Sequence, residues 1–543
     1  MSLSRRAVLR RLGGVGLAAG AYTVLPAVAR APGPAATTDT MEGLPPGTDG
    51  RSEPVAAPIP FSLIGFELLD DIDVEFRTST DGDGWTPWTS ARRIAVDDEG
   101  PDTGSQEDGS SWRRMTHPVW VGEARWLQVR GGDPREVRAQ LIDSVGLTRS
   151  TSGRAGAALL DALVGTATAA TRAADGPEVI PRSQWGADES WRRGDARYAA
   201  AARFVVIHHT ATSTGYSRSD VPAILRGIYR YHTQTLGWAD IGYNLLVDRF
   251  GRVFEGRAGG IDRAVIGAHA AGYNDGSVGV AALGNYDGTT PPDTLLDGLD
   301  RTVAWKLALH DIHPGDTTAH GSSSLPTIVG HRNVGATACP GGHLYQRVRG
   351  SDPMSERVWV RMLGFHDVPA SSPFARDIAW IAAAGIAQGT GPPDRRLYRP
   401  RDPVTREQMA AFLSRALDLS DDHHPGFSDV TPGSTFDRDI RRIAAAGITE
   451  GSGPPDDRRY RPRDPVTREQ MAAFLSRALD LTDDDHPGFG DVTPGSTFDR
   501  DIRRIAAAGI TQGTDSSQGR RYRPRDPVTR EQMAAFLHRA LKR

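Results

Sequence analysis

With 543 residues and a formal net charge of −3, the chain is long enough for several domains and lacks the strong positive charge of most nucleic-acid-binding proteins. We therefore expect no nucleic acid among its partners. A single cysteine, Cys339, excludes an intramolecular disulfide, so each core must be stable without cross-links. The composition changes along the chain, and this predicts a multidomain protein.

The first 29 residues are typical of an export signal. Arg5 and Arg6 lie in a segment that resembles the twin-arginine consensus, and a Gly/Ala-rich apolar run from Leu12 to Leu25 follows. A membrane span needs about 20 strongly apolar residues, and this run is shorter. We therefore predict a cleaved signal peptide over residues 1–29, no stable membrane span after cleavage, and an extracellular, cell-wall-associated protein.

Three segments follow the signal. Residues 30–57 are rich in Pro, Gly and Thr and predict a flexible tether. Between 58 and 145, alternating segments such as Asp73–Thr78, separated by turns such as Asp81–Gly84, predict an all-β, sandwich-like domain. Its five tryptophans could form a sugar-stacking face or pack in the core, and packing is the favoured reading. An Ala-rich stretch over 146–176 predicts a linker.

Strands and helices alternate between residues 177 and 352, which predicts an α/β layer domain. The apolar run Phe204–Thr210 is typical of a buried strand, and a hairpin is expected between Ile241 and Glu255. Asp220–Leu236 and Thr294–Ile312 have the apolar periodicity of helices that pack on a sheet.

Histidines and the cysteine of this region could bind a metal. His331 lies eight residues before Cys339, and His208 and His209 end the predicted strand. Adjacent residues of a strand face opposite sides, so only one of those two histidines can reach a shared metal. Two imidazoles and a thiolate would form a catalytic zinc set with an open fourth position. A buried free thiol near surface histidines is the alternative, because no CxxC or HExxH pattern is present.

Six ordered motifs between about Pro177 and Arg349 resemble those of the peptidoglycan-recognition-protein and type 2 N-acetylmuramoyl-L-alanine amidase family. They are Ser183–Ala187, Ile207–Thr210, Asp240–Asn244, Gly267–Asn274, Gly330–Arg332 and Ala338–Pro340. The resemblance implies a mixed sheet with flanking helices and a Zn2+ ion bound by His208, His331 and Cys339. It also implies hydrolysis of the amide between the lactyl group of N-acetylmuramic acid and L-alanine in peptidoglycan.

The same resemblance assigns further roles. Tyr243 matches the family's catalytic tyrosine, and Thr337 falls where amidases carry a second catalytic or orienting group. Which group protonates the leaving amine stays open, because threonine is a poor proton donor. The expected substrate-binding residues are His209, Gly237, Trp238, Arg257, His269, Tyr273 and Asn274.

Part of this set concerns the stem peptide of the substrate. Gly237 and Trp238 resemble the pair associated with diaminopimelate-type stems. Arg257 matches an arginine that binds the extra carboxylate of diaminopimelate, and a guanidinium suits bidentate binding of a carboxylate. The chain departs from animal members at Ala258, where a tryptophan is usual, so the edge of the peptide groove stays open.

From about Gly364 the chain repeats itself at an interval of 62 residues, with predicted copies at 361–420, 423–482 and 485–543. Each copy has two helical segments, which predicts an α-helical triple repeat. The second segment begins with Thr-Arg-Glu-Gln, a capping box in which Thr467 and Gln470 are one example.

These copies resemble S-layer homology repeats, which attach exported proteins to cell-wall polymers. Arg406, Arg468 and Arg530 lie at helix N-termini, where backbone N–H groups favour an anion, so we predict that they bind an anionic wall polymer. Two observations oppose this: the family signature is Thr-Arg-Ala-Glu, and nearby Asp residues could pair with the arginines on a solvated face.

The leading hypothesis is an exported zinc amidase held at the wall by its repeats. The alternatives are a peptidoglycan-binding protein without catalytic activity and a structural surface-layer protein. The full set of three metal ligands favours the enzyme, because relatives without activity usually replace the cysteine.

Overall fold

The computed structural model describes the chain in segments, and these fall in two compact units that meet in sequence at Met362 and Leu363. The described residues are 37–68, 72–94, 100–105, 107, 114–145, 176–515, 517 and 519–542. The predicted signal peptide over 1–29 and the predicted linker, apart from its last residue, lie outside them. No helix within these segments has both the length and the apolar character needed to cross a membrane.

The N-terminal domain is β-sandwich-like, as predicted, and its described strands form one antiparallel sheet. They are β1 (Thr37–Glu42), β2 (Val55–Leu68), β3 (Val74–Ser79), β4 (Thr89–Ala91), β5 (Val119–Arg130) and β6 (Val137–Asp143). Their order across the sheet is β1-β6-β2-β5-β3-β4. A short 3-10 helix, Pro134–Glu136, joins β5 to β6.

The prediction of a flexible tether over residues 30–57 is wrong from residue 37 onward. β1 pairs with β6 along its whole length, from Thr37 opposite Asp143 to Glu42 opposite Arg138. Met41 and Leu44 are buried in the core of this domain. Burial of these two apolar side chains stabilises the segment. The many Thr, Pro and Gly residues around them explain why the composition predicts a flexible tether instead.

The tryptophans of this domain divide between two environments. Trp120 is buried, as the core hypothesis requires. Trp85 and Trp88 are partly exposed, and the guanidinium of Arg77 lies 4.9 and 4.8 Å from their ring centroids. A cationic side chain therefore covers these two of the five tryptophans considered for a sugar-stacking face, and Trp112 lies outside the described residues.

The N-terminal domain shares a hydrophobic core with the domain that follows it. Leu63 and Trp120 belong to the same buried cluster as Ile224 and Tyr231. The Tyr231 hydroxyl donates a hydrogen bond of 2.8 Å to the carbonyl oxygen of Thr116. A Cβ atom at Gly65 would collide with the Tyr231 ring, so glycine is required there. The two domains are packed together as one body.

The central domain has the predicted α/β architecture, with a mixed sheet. Its strands are β7 (Val179–Ile180), β8 (Phe204–His209), β9 (Leu245–Val247), β10 (Val253–Glu255) and β11 (Ser277–Ala282), then a separate hairpin, β12 (Thr317–His320) and β13 (Ser323–Pro326), and finally β14 (Ile328–Gly330). The sheet order is β14-β8-β11-β9-β10-β7. The first four strands in this order run parallel, and β10 is antiparallel to β9.

Helices flank this sheet, as the apolar periodicity predicts. They are α1 (Arg182–Trp185), α2 (Val221–Arg230), α3 (Asp293–Leu309), α4 (Gly342–Arg349) and α5 (Met354–Leu363). A π-helical turn, Tyr231–Thr235, extends α2 and accounts for the long helix predicted over residues 220–236. Every residue of β8 is buried, so this strand lies at the centre of the domain.

The C-terminal unit contains two helices per copy. They are α6 (Ala375–Ala383) and α7 (Arg406–Ala416), α8 (Asp437–Ala445) and α9 (Arg468–Ala478), and α10 (Asp499–Ala507) and α11 (Arg530–Leu541). The capping boxes are confirmed: Thr405, Thr467 and Thr529 each accept the backbone N–H of the glutamine three residues later. Apolar side chains of all three copies form one continuous core.

Candidate active site

The sheet brings two histidines to the same edge. β8 and β14 are neighbouring parallel strands in which Ile207 pairs with Gly330, so His208 and His331 follow at the same end. Both side chains are buried, and their ring centroids are 4.4 Å apart. Parallel pairing at a common strand end therefore places two imidazoles side by side.

A short loop returns Cys339 to these histidines. The backbone N–H of Arg332 donates to the Cys339 carbonyl oxygen at 2.9 Å, which closes the loop. The Cys339 sulfur lies 3.7 Å from Nδ1 of His208 and 3.4 Å from the backbone nitrogen of His209. Possible ligand atoms of His208, His331 and Cys339 all lie within 4.8 Å of one another.

The chemistry of this donor set fits a zinc ion. Two imidazole nitrogens and one sulfur are ligands that zinc prefers, and three protein ligands leave a position open. Burial, reinforced by the neighbouring His331 and His269, lowers the pKa of His208 well below its ordinary value. The imidazole is therefore neutral at pH 7, which is the form that binds a metal.

These three residues lie at a cavity of about 270 Å³. Tyr243, Trp238, His209, His269 and Thr337 line the same cavity. The N-terminal domain supplies further lining residues, namely Arg92, Arg93, Ile94, Gly100 and His117. The site is thus built by two domains.

Tyr243 and Thr337 both reach the cavity, as the sequence predicts. The Tyr243 ring is buried, with its centroid 5.5 Å from that of His208. The Thr337 hydroxyl accepts the backbone N–H of Cys339 at 3.1 Å, so it fixes the loop that carries the cysteine. Thr337 thus holds the Cys339 loop, and the Tyr243 ring packs beside His208 at the cavity wall.

The expected substrate-binding residues divide into two groups. His209, Trp238 and His269 line the cavity, whereas Gly237, Arg257, Tyr273 and Asn274 do not. Nδ1 of His209 accepts the backbone N–H of Tyr286 at 3.2 Å, so part of its role is to hold a loop. Gly237 adopts φ of 81°, a left-handed conformation that turns the chain ahead of Trp238.

Asn274 and Tyr273, which we expect to contact substrate, also make contacts within the protein. Asn274 is fully buried, and its side-chain oxygen accepts the backbone N–H groups of His269 and Ala270. Tyr273 stacks on His320 with ring centroids 4.6 Å apart. Both side chains are used within the fold, where they fix the loop that holds His269.

Arg257 forms an ion pair inside the protein. Its side chain forms a two-bond ion pair with Glu107 of the N-terminal domain, at 2.7 and 3.0 Å. Nε of Arg257 donates to the Ile241 carbonyl oxygen at 3.0 Å, and its residue exposure is 8%. The guanidinium binds a carboxylate as predicted, but that carboxylate belongs to the protein itself.

The contact between His269 and His208 was not predicted. Nδ1 of His269 lies 3.0 Å from Nε2 of His208, on the side of that ring away from Cys339. A Cβ atom at Gly279, in the middle of β11, would collide with the His269 ring. A glycine inside a strand often marks such a close approach, and this was the available sequence signal.

The arginines expected to bind a wall polymer make the same contacts in all three copies. Nε of Arg406 donates to the Tyr460 carbonyl oxygen at 2.6 Å, and Tyr460 donates its hydroxyl to the Arg406 carbonyl oxygen at 2.7 Å. Arg468 bonds Tyr522 in the same way, and Arg530 bonds Tyr398 of the first copy. Each guanidinium also lies over its tyrosine ring. These arginines therefore join neighbouring copies.

Comparison with known proteins agrees with this architecture. The N-acetylmuramoyl-L-alanine amidase family model matches residues 198–342. A model described as Rv3811 N-terminal galactose-binding domain-like matches residues 26–155. The S-layer homology domain matches three times, at residues 364–410, 426–472 and 488–534.

Relatives and solved structures cover the central domain. Peptidoglycan-recognition protein SC1a of Drosophila melanogaster is 35% identical over 178 residues, which are 33% of this chain and 87% of that relative. Peptidoglycan-recognition protein LB of the same species is 32% identical, over 31% of this chain and 67% of the relative. The solved structure of wild-type Drosophila PGRP-LB matches at 31% identity and a TM-score of 0.28, over 33% of this chain and 95% of that one.

Fold and motif order define the central part as an amidase-type α/β domain. The chain belongs to the family of peptidoglycan-recognition proteins and N-acetylmuramoyl-L-alanine amidases, and it carries three S-layer homology domains in addition. Those repeats indicate association with a cell surface.

Proposed function

We propose that the chain is an exported zinc-dependent N-acetylmuramoyl-L-alanine amidase that acts on peptidoglycan at the cell wall. The observation that carries the proposal is the convergence of His208, His331 and Cys339 within 4.8 Å at a cavity that Tyr243 also lines. The names of the relatives, which are peptidoglycan-recognition proteins, support peptidoglycan as the ligand.

The residues of the site have separable roles in such a hydrolysis. His208, His331 and Cys339 would hold the zinc ion, which when bound activates water at neutral pH and polarises a carbonyl group. Tyr243 donates a hydrogen bond to the oxygen on which negative charge develops. His269 orients His208 through its second ring nitrogen, and Thr337 fixes the Cys339 loop.

Digestion of purified peptidoglycan by the full-length protein tests this proposal. We expect new N-terminal alanine to appear, to be abolished by a chelator and to return on addition of zinc. Cys339→Ser should release none. Release that a chelator and Cys339→Ser both leave unchanged would contradict the metal assignment.

The second candidate is a peptidoglycan-binding protein without catalytic activity. The recognition-protein names of the relatives favour it. Binding of muropeptides without release of alanine at any zinc concentration would establish this candidate and exclude the enzyme.

The repeats are proposed to bind an anionic wall polymer, but through different arginines from those first expected. Arg406, Arg468 and Arg530 join the copies, and the ends of α7, α9 and α11 lie beside exposed arginines of the neighbouring copy. The exposed set is Arg401, Arg463 and Arg525. Arg463, for example, acts electrostatically on Glu407 in the first turn of α7.

Co-sedimentation with intact walls tests this second role. The triple variant Arg401→Ala/Arg463→Ala/Arg525→Ala should sediment less with walls, and its difference from the wild type should shrink as salt screens the charges. The matched control removes three exposed arginines of the first helices, as Arg376→Ala/Arg438→Ala/Arg500→Ala. Equal sedimentation of both triple variants would contradict a specific site at these helix ends.

A further inference from the structure

Glu107 of the N-terminal domain is bound tightly by the central domain. Its two carboxylate oxygens accept from Nη1 and Nη2 of Arg257 at 3.0 and 2.7 Å, and one of them also accepts the Ala239 backbone N–H at 3.0 Å. The side chains of Arg257 and Glu107 are 7% and 11% exposed. These three hydrogen bonds from the central domain form a carboxylate-binding site that Glu107 occupies.

The charge state of Glu107 agrees with this geometry. Burial alone would raise the pKa of its carboxyl, but the hydrogen bonds and charge of Arg257, with a smaller contribution from Arg197, outweigh burial and hold that pKa below its ordinary value. Glu107 is therefore ionised at neutral pH, and its negative charge balances the positive charge of Arg257.

The pair lies directly behind the wall of the metal cavity. The backbone N–H of Arg257 donates to the Tyr243 carbonyl oxygen at 2.8 Å, and Nη1 of Arg257 donates to the Ile266 carbonyl oxygen at 3.2 Å. Ala239, which binds Glu107, directly follows Trp238. Tyr243 and Trp238 both line the cavity, so the Arg257–Glu107 pair adjoins this wall, although neither of its side chains lines the cavity itself.

A second contact holds the same part of the N-terminal domain in place. Oδ1 of Asp102 accepts the Gly272 backbone N–H at 2.9 Å and the Asn274 side-chain N–H at 2.7 Å. The Gly100 carbonyl oxygen accepts from Asn274 at 2.9 Å, and Gly100 itself lines the cavity. The position of Glu107 is thus supported by neighbouring residues of its own domain.

We propose that Glu107 is a specificity-determining residue, which occupies Arg257 with an internal carboxylate and so disfavours substrates that carry a free carboxylate at that position. The proposal rests on the proposed amidase function. A substrate carboxylate must displace Glu107, which competes at the high effective concentration of an intramolecular group. A stem residue such as lysine, which keeps the side-chain amine but lacks that carboxylate, has no need of Arg257 and meets no such competition. Specificity of this kind arises from a repulsive element.

Kinetics of the full-length protein on a matched pair of muropeptides test the proposal. The two differ only at the third stem residue, diaminopimelate with a free carboxylate in one and lysine in the other. Glu107→Gln should raise kcat/KM on the diaminopimelate muropeptide by about 10–100-fold, mainly through KM, and leave the lysine muropeptide unchanged. That factor corresponds to a charge-assisted hydrogen bond made available to the substrate.

The control removes an ion pair that is more exposed and lies within one domain. Glu75 pairs with Arg130 at 2.6 Å inside the N-terminal domain, so Glu75→Gln should leave kcat/KM unchanged on both muropeptides. Glu107→Asp keeps the charge but shortens the reach to Arg257, and it should give a smaller gain on diaminopimelate only. This variant supplies the test if Glu107→Gln lowers Tm too far.

The outcomes separate this proposal from the proposed function. An equal change on both muropeptides, or no change on either, would show that Glu107 only ties the domains together. If no variant releases alanine, the amidase proposal fails. Calorimetric binding of the same two muropeptides to Cys339→Ser with and without Glu107→Gln then decides the specificity proposal independently. Tighter binding of the diaminopimelate muropeptide alone supports it, and equal affinities overturn it.

Discussion

The metal cavity and the repeat unit use buried polar groups in opposite ways. In the cavity, His208, His331 and Cys339 bring three possible metal-ligand atoms within 4.8 Å of one another. In the repeats, Arg468 meets the carbonyl oxygen and the ring face of Tyr522, which complement a guanidinium. The first arrangement suits an external cation, whereas the second satisfies its charged group within the protein.

The comparison gives a criterion for assigning residues in this chain. A half-buried charged side chain whose contacts are complementary holds the fold, even where a sequence motif suggests binding. Arg406, Arg468 and Arg530 meet this description. Metal-ligand atoms that converge at a cavity, such as those of His208, His331 and Cys339, indicate a binding site instead.

The largest effect should come from His208→Ala. Loss of one ligand should remove the bound zinc and lower alanine release by at least about a hundredfold, because even partners outside the ligand set are typically worth 10–100-fold. The neighbouring variant His209→Ala is the matched control and should keep the metal, since Nδ1 of His209 accepts the Tyr286 backbone N–H and His209 is not in the ligand set. Metal analysis and circular dichroism are the measurements, and equal zinc loss in both variants would contradict the ligand assignment.

Arg468→Ala should destabilise the repeat unit by about 1.5–3 kcal/mol, the typical contribution of a hydrogen bond to a charged group. The physical reason is the loss of the contacts with Tyr522 across the interface between two copies. Thermal unfolding measures the change, with Arg438→Ala, an exposed arginine of α8 in the same copy, as control. Cleavage of soluble muropeptides should not change. An unchanged Tm would mean that Arg468 is available to a wall polymer after all.

His269→Ala should weaken zinc binding by about 10–100-fold without removing a ligand. Its Nδ1 lies 3.0 Å from Nε2 of His208 and fixes that ring, whereas His232 lines the same cavity and contacts Trp238 instead. His232→Ala is therefore the control, and competition with a metal indicator gives the affinity. The same weakening in both variants would point to a general effect of enlarging the cavity.

The smallest effect is expected for Arg92→Ala. Arg92 pairs with Asp287 at 2.7 Å between the N-terminal and central domains, but the two side chains are 37% and 30% exposed. Such pairs contribute about 0.2–1 kcal/mol, and salt screens them. We expect a small decrease in Tm at low salt that vanishes at high salt. A decrease that persists at high salt would show that Arg92 packs rather than pairs.

Local patterns in the sequence predicted much of this structure. The apolar run up to His208 identified the central strand, and the Thr-Arg-Glu-Gln segments identified the helix starts, because both signals depend on neighbouring residues only. The family motifs also group His208, His331 and Cys339 as one ligand set.

Local sequence patterns do not predict contacts between residues that are distant in the chain. Glu107 and Arg257 are 150 residues apart, and nothing near either residue indicates the other. The strand β1 was missed because Met41 and Leu44 are few among polar and flexible residues. The motif around His269 predicts a contact with substrate. Its close packing depends on Gly279, which lies on a different element, so the local sequence does not indicate it.

The contacts between the repeats have a consequence for their number. The first copy contacts the second, the second contacts the third, and Arg530 of the third returns to Tyr398 of the first. Such head-to-tail contacts close, as they do among the subunits of a cyclic trimer. A closed arrangement has no terminal copy that needs a cap, unlike an open solenoid, and it cannot fray from one end. Deletion of any copy breaks two interfaces at once, so three is the number at which this unit is complete.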